Sequence, residues 1–152
     1  MKTIKVYLAA PFFTPEQIAM VENLEAALAA YPIFEVFSPR KIGGVLKDMD
    51  PAERKARAQL VFESNVTGVH NADVVLAWVN GYDPGVMVEL GIAYECGDIY
   101  IIGFTKNKGM NVMLACLMDT YCENFTELLS VITELSTGKF DAIKVKKGEV
   151  TT

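Results

Sequence analysis

Short apolar runs alternate with helical spacing along the whole chain. Lys2 to Ala10 sets Ile4, Val6 and Leu8 two apart with Tyr7 interleaved, which predicts a buried strand ended by Pro11. Thr14-Pro15-Glu16-Gln17 then carries a helix start: Thr14 as N-cap, Pro15 in the first turn, Gln17 completing a capping box. Ile18, Val21, Leu24 and Leu28 mark one face of that helix to about Ala30. Ile33 to Phe37 is a second short strand, and Ser38 to Asp50, with Gly43-Gly44, is a long loop. Asp50-Pro51-Ala52-Glu53 repeats the cap signature and opens a helix to about Asn71.

Val74 to Val79 is apolar on both faces, as expected of a strand covered on both sides. A turn over Asn80 to Pro84 leads into a third helix, Gly85 to Cys96, with Gly97 as its C′ residue. Asp98 to Phe104 is a fourth strand, Asn111 to Met118 a short helix, and Asp119 to Cys122 a fifth strand. Asn124 caps a last helix to about Leu135. Strands alternating with helices imply a parallel sheet with right-handed crossovers. The fold class is therefore α/β: a three-layer sandwich with a central parallel five-stranded sheet, flavodoxin-like or Rossmann-like. One domain over residues 1–138 and a polar, lysine-rich, peripheral tail over 139–152 are expected. Ligands in such sheets bind outside the C-terminal strand ends, which selects the loops after Ala9, Phe37, Val79 and Phe104.

Composition narrows the function classes. With 51% hydrophobic and 22% charged residues over 152 positions, the chain is globular rather than disordered. A net charge of −5 without a basic stripe argues against nucleic acid as a partner. Cys96, Cys116 and Cys122 are an odd set without metal-type spacing, which fits free thiols in a reducing compartment and no metal site. The N-terminus lacks a signal-peptide pattern and no apolar run is long enough to span a membrane, so no membrane partner and a cytoplasmic location are expected.

The chemistry concentrates in Asp83-Pro-Gly85-Val-Met-Val-Glu89-Leu-Gly91. Glu89 has Gly85, Val86, Ile92 and Ala93 at helical spacing and no cation one turn away. It is either a solvated helix glutamate or a nucleophile or base in a dry pocket. Asp83 suits an N-cap, and its place at a C-terminal strand end also suits a ligand contact. Tyr7 is a packing residue or a hydroxyl partner for a carboxylate. Gly85 permits close approach of backbone or ligand. His70, the only histidine, stands at a helix end, where structure alone accounts for it.

Four segments together resemble the nucleoside 2-deoxyribosyltransferase family: Val6-Tyr7-Leu8-Ala9-Ala10-Pro11-Phe12-Phe13-Thr14, Asn71-Ala72-Asp73-Val74-Val75-Leu76-Ala77, Asp83-x-Gly85-x-x-x-Glu89-Leu90-Gly91, and Asn111-Val112-Met113. The resemblance implies transfer of a 2-deoxyribosyl group between nucleobases, with Glu89 as nucleophile, Tyr7 orienting it and Asp83 contacting the deoxynucleoside. It implies that 2′-deoxynucleosides and free nucleobases are the substrates and that no cofactor is needed. It also implies a homo-oligomer, a dimer or hexamer, in which Asn111 and Met113 reach a neighbouring site. Phe12 and Phe13 lie near the expected base-binding edge. Asn65 stands where several members carry an aspartate; it can bind sugar or base but cannot deliver a proton as an acid. Arg40 or Lys41 could face the base or solvent.

Two other functions compete. One is an N-glycoside hydrolase of deoxynucleosides or their 5′-monophosphates, disfavoured for the phosphates because Ala10 to Thr14 holds no cation. The other is a non-catalytic nucleotide sensor on the same fold.

Overall fold

The computed structural model describes residues 2–43 and 46–152; Gly44 of the glycine pair, and Val45, lie outside the described residues. The main elements are β1 (Ile4–Ala9), α1 (Pro15–Ala29), β2 (Phe34–Phe37), α2 (Pro51–His70), β3 (Val74–Trp78), α3 (Pro84–Cys96), β4 (Tyr100–Phe104), β5 (Gly109–Met110), α4 (Val112–Leu117), β6 (Thr120–Cys122), α5 (Phe125–Ser136) and β7 (Glu149–Val150). The central sheet has the order β2-β1-β3-β4-β6, with every pairing parallel. This is the flavodoxin-type order, in which the strand sequence reverses between β1 and β3.

Strand alternation sorts the side chains into two cores. Ile4, Val6 and Leu8 of β1, with Val74 and Leu76 of β3, meet Val21, Leu24 and Leu28 of α1 and Leu128, Ile132 and Leu135 of α5. Tyr7 and Ala9, with Val75 and Ala77, meet Val69 of α2, Val86, Leu90 and Ala93 of α3, and Leu114 and Ala115 of α4. A period of two along a strand requires this division. Local caps fix the helix starts as the sequence suggests. Thr14 and Gln17 close a capping box, Asp50 accepts from Ala52 and Glu53 amides, and Gly97 ends α3 in the left-handed region at φ 82°. Ile18 departs from the expected face; it lies in the first turn of α1 and stays exposed.

The tail stays largely exposed, yet it is tied down along its length. Ile143 is buried in the α1/α5 core, and the chain then wraps around the free edge of β6. The Tyr121 amide donates to the Lys146 carbonyl (3.1 Å) and the Lys146 amide to Thr120 Oγ1 (2.9 Å). Beyond that point β7 pairs in parallel with β5. Its polar composition is misleading, because the partners of the tail are backbone groups and carboxylates at a sheet edge that needs covering. Among the described residues no helix is long and apolar enough to cross a membrane.

Candidate active site

Tyr7 points toward the α2/α3 layer and is fully buried. Its register partner on β2 is Phe37, and the two rings stack with centroids 5.2 Å apart and planes 14° from parallel. On the other side α2 approaches through Gly68. A Cβ there would lie 3.1 Å from both Phe37 Cζ and Tyr7 Cε2, so the close approach requires glycine or a shift of the rings. The Tyr7 hydroxyl faces Glu89 closely enough to interact yet closes no hydrogen bond of normal geometry. Burial, followed by the charge of Glu89, holds the phenol above its ordinary pKa, so it stays a donor.

Glu89 owes its position to the register of α3. Asp83 caps this helix, its Oδ1 accepting from the Val86 amide at 3.0 Å, and Pro84 occupies the first turn. Val86, Leu90 and Ala93 form the buried face. Glu89 precedes Leu90 and follows Val86 by three residues, so it sits at the border of that face. Its Oε2 is buried without a partner. Burial raises its pKa from 4.5 to about 7; the Tyr7 hydroxyl draws it down and Asp83 pushes it up. A Cβ on Gly85 would lie 3.1 Å from Asp83 Oδ1 and 3.9 Å from Glu89 Oε1. The space between the two carboxylates is open because residue 85 has no side chain.

Asn65 contributes a third polar group. It lies three residues before Gly68, on the α2 face that meets Tyr7, and its Oδ1 is buried without a partner. Helix α2 runs back across the sheet, so Asn65 stands one turn closer than Gly68 to the C-terminal strand ends. Tyr7 OH, Asn65 Oδ1 and Glu89 Oε2 are thus unsatisfied on one side of the sheet, beside its switch point. Natural folds pair nearly all buried polar atoms, and a cluster of exceptions at the ligand edge is what a polar substrate would satisfy. A partly ionised, poorly solvated carboxylate next to a phenol donor is equipped for nucleophilic or general-base chemistry.

Other candidates lie elsewhere in the chain. Phe12 packs against the α1/α5 core, and Phe13, 71% exposed, stacks on it at 5.0 Å. Asn111 caps α4, its Oδ1 accepting from the Met113 amide at 2.8 Å, and Met113 is 71% exposed. Arg40 does not face a base: Glu25 of α1 holds it through two bonds of 2.8 and 2.6 Å, and Lys41 points to the same carboxylate. His70 is exposed at the end of α2. The turn before Asp83 is strained, with Gly81 at φ 68° and Tyr82 at φ 52°. A groove of about 440 Å³ between β2 and α2 backs the Tyr7–Phe37 stack and does not include Glu89. Among the described residues no group of three His, Cys, Asp or Glu side chains is placed to hold a metal ion.

Sequence reasoning missed Phe37 and Gly68. Gly68 carried a usable signal, since a glycine inside a helix often marks a close approach. Phe37 carried none, because its role depends on the β1–β2 register.

The family model for nucleoside 2-deoxyribosyltransferases matches residues 6–132. A search of curated sequences finds no significant match. Among solved structures, a 2-deoxyribosyltransferase from Bacillus psychrosaccharolyticus superposes with a TM-score of 0.73 at 25% identity, covering 94% of this chain and 98% of that one. A CMP N-glycosidase from Clostridium botulinum gives a TM-score of 0.56 at 17% identity over 88% of this chain and 98% of that one. A conserved protein from Enterococcus faecalis gives 0.53 at 17% identity over 99% and 91%.

Proposed function

Because the chain belongs to the nucleoside 2-deoxyribosyltransferase family, we propose that it exchanges the base of 2′-deoxynucleosides through a covalent sugar ester on Glu89. The observation that carries this reading is the half-buried Glu89, whose Oε2 is buried without a partner, beside the Tyr7 hydroxyl and Asp83. In the first step a Glu89 oxygen attacks C1′ from the face opposite the base. The glycosidic C–N bond breaks, and its electron pair leaves on the base nitrogen. In the second step a nitrogen of the incoming base attacks C1′ from the face just vacated, and the ester C–O bond breaks to regenerate the carboxylate. Two inversions give net retention, as in retaining glycosidases. The proton gained by the leaving base and the proton lost by the incoming one balance, so the cycle needs neither cofactor nor net acid. Asn65, an amide, binds base or sugar and supplies no acid proton.

Positive charge grows on the sugar ring as the base departs, and Glu89 and Asp83 are the anions placed to stabilise it. Tyr7, kept protonated, steadies the carboxylate. Asp83 and the gap over Gly85 receive the sugar. Free nucleosides fit better than 5′-monophosphates, because the run after β1, Ala10 to Thr14, holds no cation and Arg40 is engaged by Glu25. Phe12 and Phe13 form an aromatic edge for the base. Asn111 and Met113 act on a neighbouring copy's site in a homo-oligomer, a dimer or hexamer. Met113 and Val112, both exposed at the start of α4, are apolar side chains free for such a contact. The activity would serve nucleoside salvage.

The test is a chromatographic assay of thymidine or 2′-deoxyinosine with and without adenine. A new deoxynucleoside, absent with Glu89→Ala, supports base exchange. Free base released at one rate regardless of acceptor assigns the protein to the hydrolases instead. Cleavage confined to 5′-monophosphates overturns the preference for nucleosides.

A further inference from the structure

Helix α4 is six residues long, too short to hold its own position, and it begins at the Asn111–Met113 tip. The backbone on both sides of Asn111 is bonded to the tail of the same chain. Met110 O accepts from the Thr151 amide (2.9 Å) and from Thr151 Oγ1 (3.3 Å), and the Val112 amide donates to Thr152 O (2.8 Å). The ribbon of β5 and β7 stands apart from the main sheet, and two strands alone are marginal in water. Its anchorage lies upstream in the tail. Lys146 Nζ reaches Glu123 Oε1 and Glu127 Oε1, both at 3.1 Å, and sits 4.9 Å over the Tyr121 ring. Lys147 Nζ donates to Met118 O at 2.6 Å. Gly148 then passes so close to buried Met110 that a Cβ would come within 2.6 Å of its Sδ and Cε.

We propose that residues 146–152 are a brace that sets the position of Asn111 and Met113, and so tunes the site of a neighbouring copy rather than that of their own subunit. This rests on the reading above, that Asn111 and Met113 serve a neighbour. Lys146 and Gly148 are positioning residues. Neither touches Glu89, Tyr7 or Asp83, and both act through the backbone at Met110 and Val112.

The experiment compares wild type, Gly148→Val and Lys146→Met in the base-exchange assay, followed by mixing. Gly148→Val forces buried Met110 or the tail to shift; Lys146→Met removes the anchor with little change in bulk and guards against a variant that fails to fold. The expected result for each is a KM for the deoxynucleoside raised about tenfold or more, the loss of roughly one contact to substrate. Each variant is then mixed with Glu89→Ala under conditions of subunit exchange. Glu89→Ala supplies an intact tip and the brace variant an intact nucleophile. A random mixture of paired subunits should therefore restore about one site in four to the wild-type KM. Unchanged KM in both variants overturns the brace. Raised KM without rescue on mixing overturns its action across subunits and makes the tail a part of its own site. If wild type itself exchanges no base, the parent reading fails first, and this one with it.

Discussion

Replacing Glu89 by Gln should make the protein more stable, and by an amount that depends on pH. The glutamate has a pKa of about 7 in the folded protein against 4.5 when unperturbed. Between those values the native protein holds a proton that the unfolded chain has released. Stability therefore falls as pH rises through this window, and the loss is complete above about 7. At about 1.4 kcal/mol per tenfold, the gap corresponds to about 3 kcal/mol, most of it appearing between pH 5 and pH 8. Gln carries no charge to desolvate, so Glu89→Gln omits this pH-dependent cost. Any fixed cost of burying its amide is the same at both pH values and cancels in the comparison. For a domain of this size the advantage of the variant should widen by about 5–10 °C in Tm from pH 5 to pH 8. Thermal unfolding of both proteins at one protein concentration and both pH values measures it. An equal difference at the two pH values would mean that Glu89 is solvated and ordinary, and not poised to attack.

On the proposed mechanism Glu89 must be ionised to attack, so kcat/KM should rise with pH along an acid limb centred near 7. Asp83→Asn keeps a capping side chain while removing the charge that pushes Glu89 upward, so the limb should move to lower pH; a stationary limb in the pH–rate profile would exclude that coupling. Tyr7→Phe removes the hydroxyl that draws the Glu89 pKa down, so the acid limb should move to higher pH while kcat falls by about 10-fold or more; an unmoved limb would exclude that contact. Gly85→Ala should fold normally and raise the nucleoside KM, since its methyl group fills the gap between the carboxylates; an unchanged KM would place the sugar elsewhere. Gly68→Val should cost about 1–3 kcal/mol in denaturant unfolding and lower turnover together, because both effects pass through the Tyr7–Phe37 stack.

Local signals were the legible part of this chain. Thr14, Asp50, Asp83 and Asn124 each cap a helix with the side chain the sequence suggests, because capping needs only neighbours within three residues. Two-residue periodicity placed Ile4, Val6 and Leu8 on one side of β1 and Tyr7 on the other. Long-range matters were not legible. Whether Glu89 is solvated depends on where the border of the α3 apolar face falls against β1, which spacing alone leaves open. The engagement of Arg40 by Glu25 joins positions fifteen apart across two elements, and a cation in a loop gives no sign of its partner. The tail was obscured by its own lysines. Polar composition ordinarily marks solvent, yet here it matches the carboxylates and the uncovered edge of β6.

The turn at Asn80-Gly81-Tyr82 has a chemical consequence over time. Asn80 is exposed and is followed by a glycine in the left-handed region, with no Cβ to shield the intervening amide. That is the dipeptide in which the following backbone nitrogen most readily attacks the asparagine side chain, expelling ammonia and forming a succinimide. Hydrolysis leaves either an aspartate or its isomer, in which the main chain has gained a methylene. In both products a new carboxylate stands three residues from Asp83, in the turn that leads into α3. By the same electrostatics that couple Asp83 to Glu89, an aged sample should carry Glu89 still further up in pKa. Storage history is thus written into the acid limb, and intact-mass analysis can report it as a gain of one dalton.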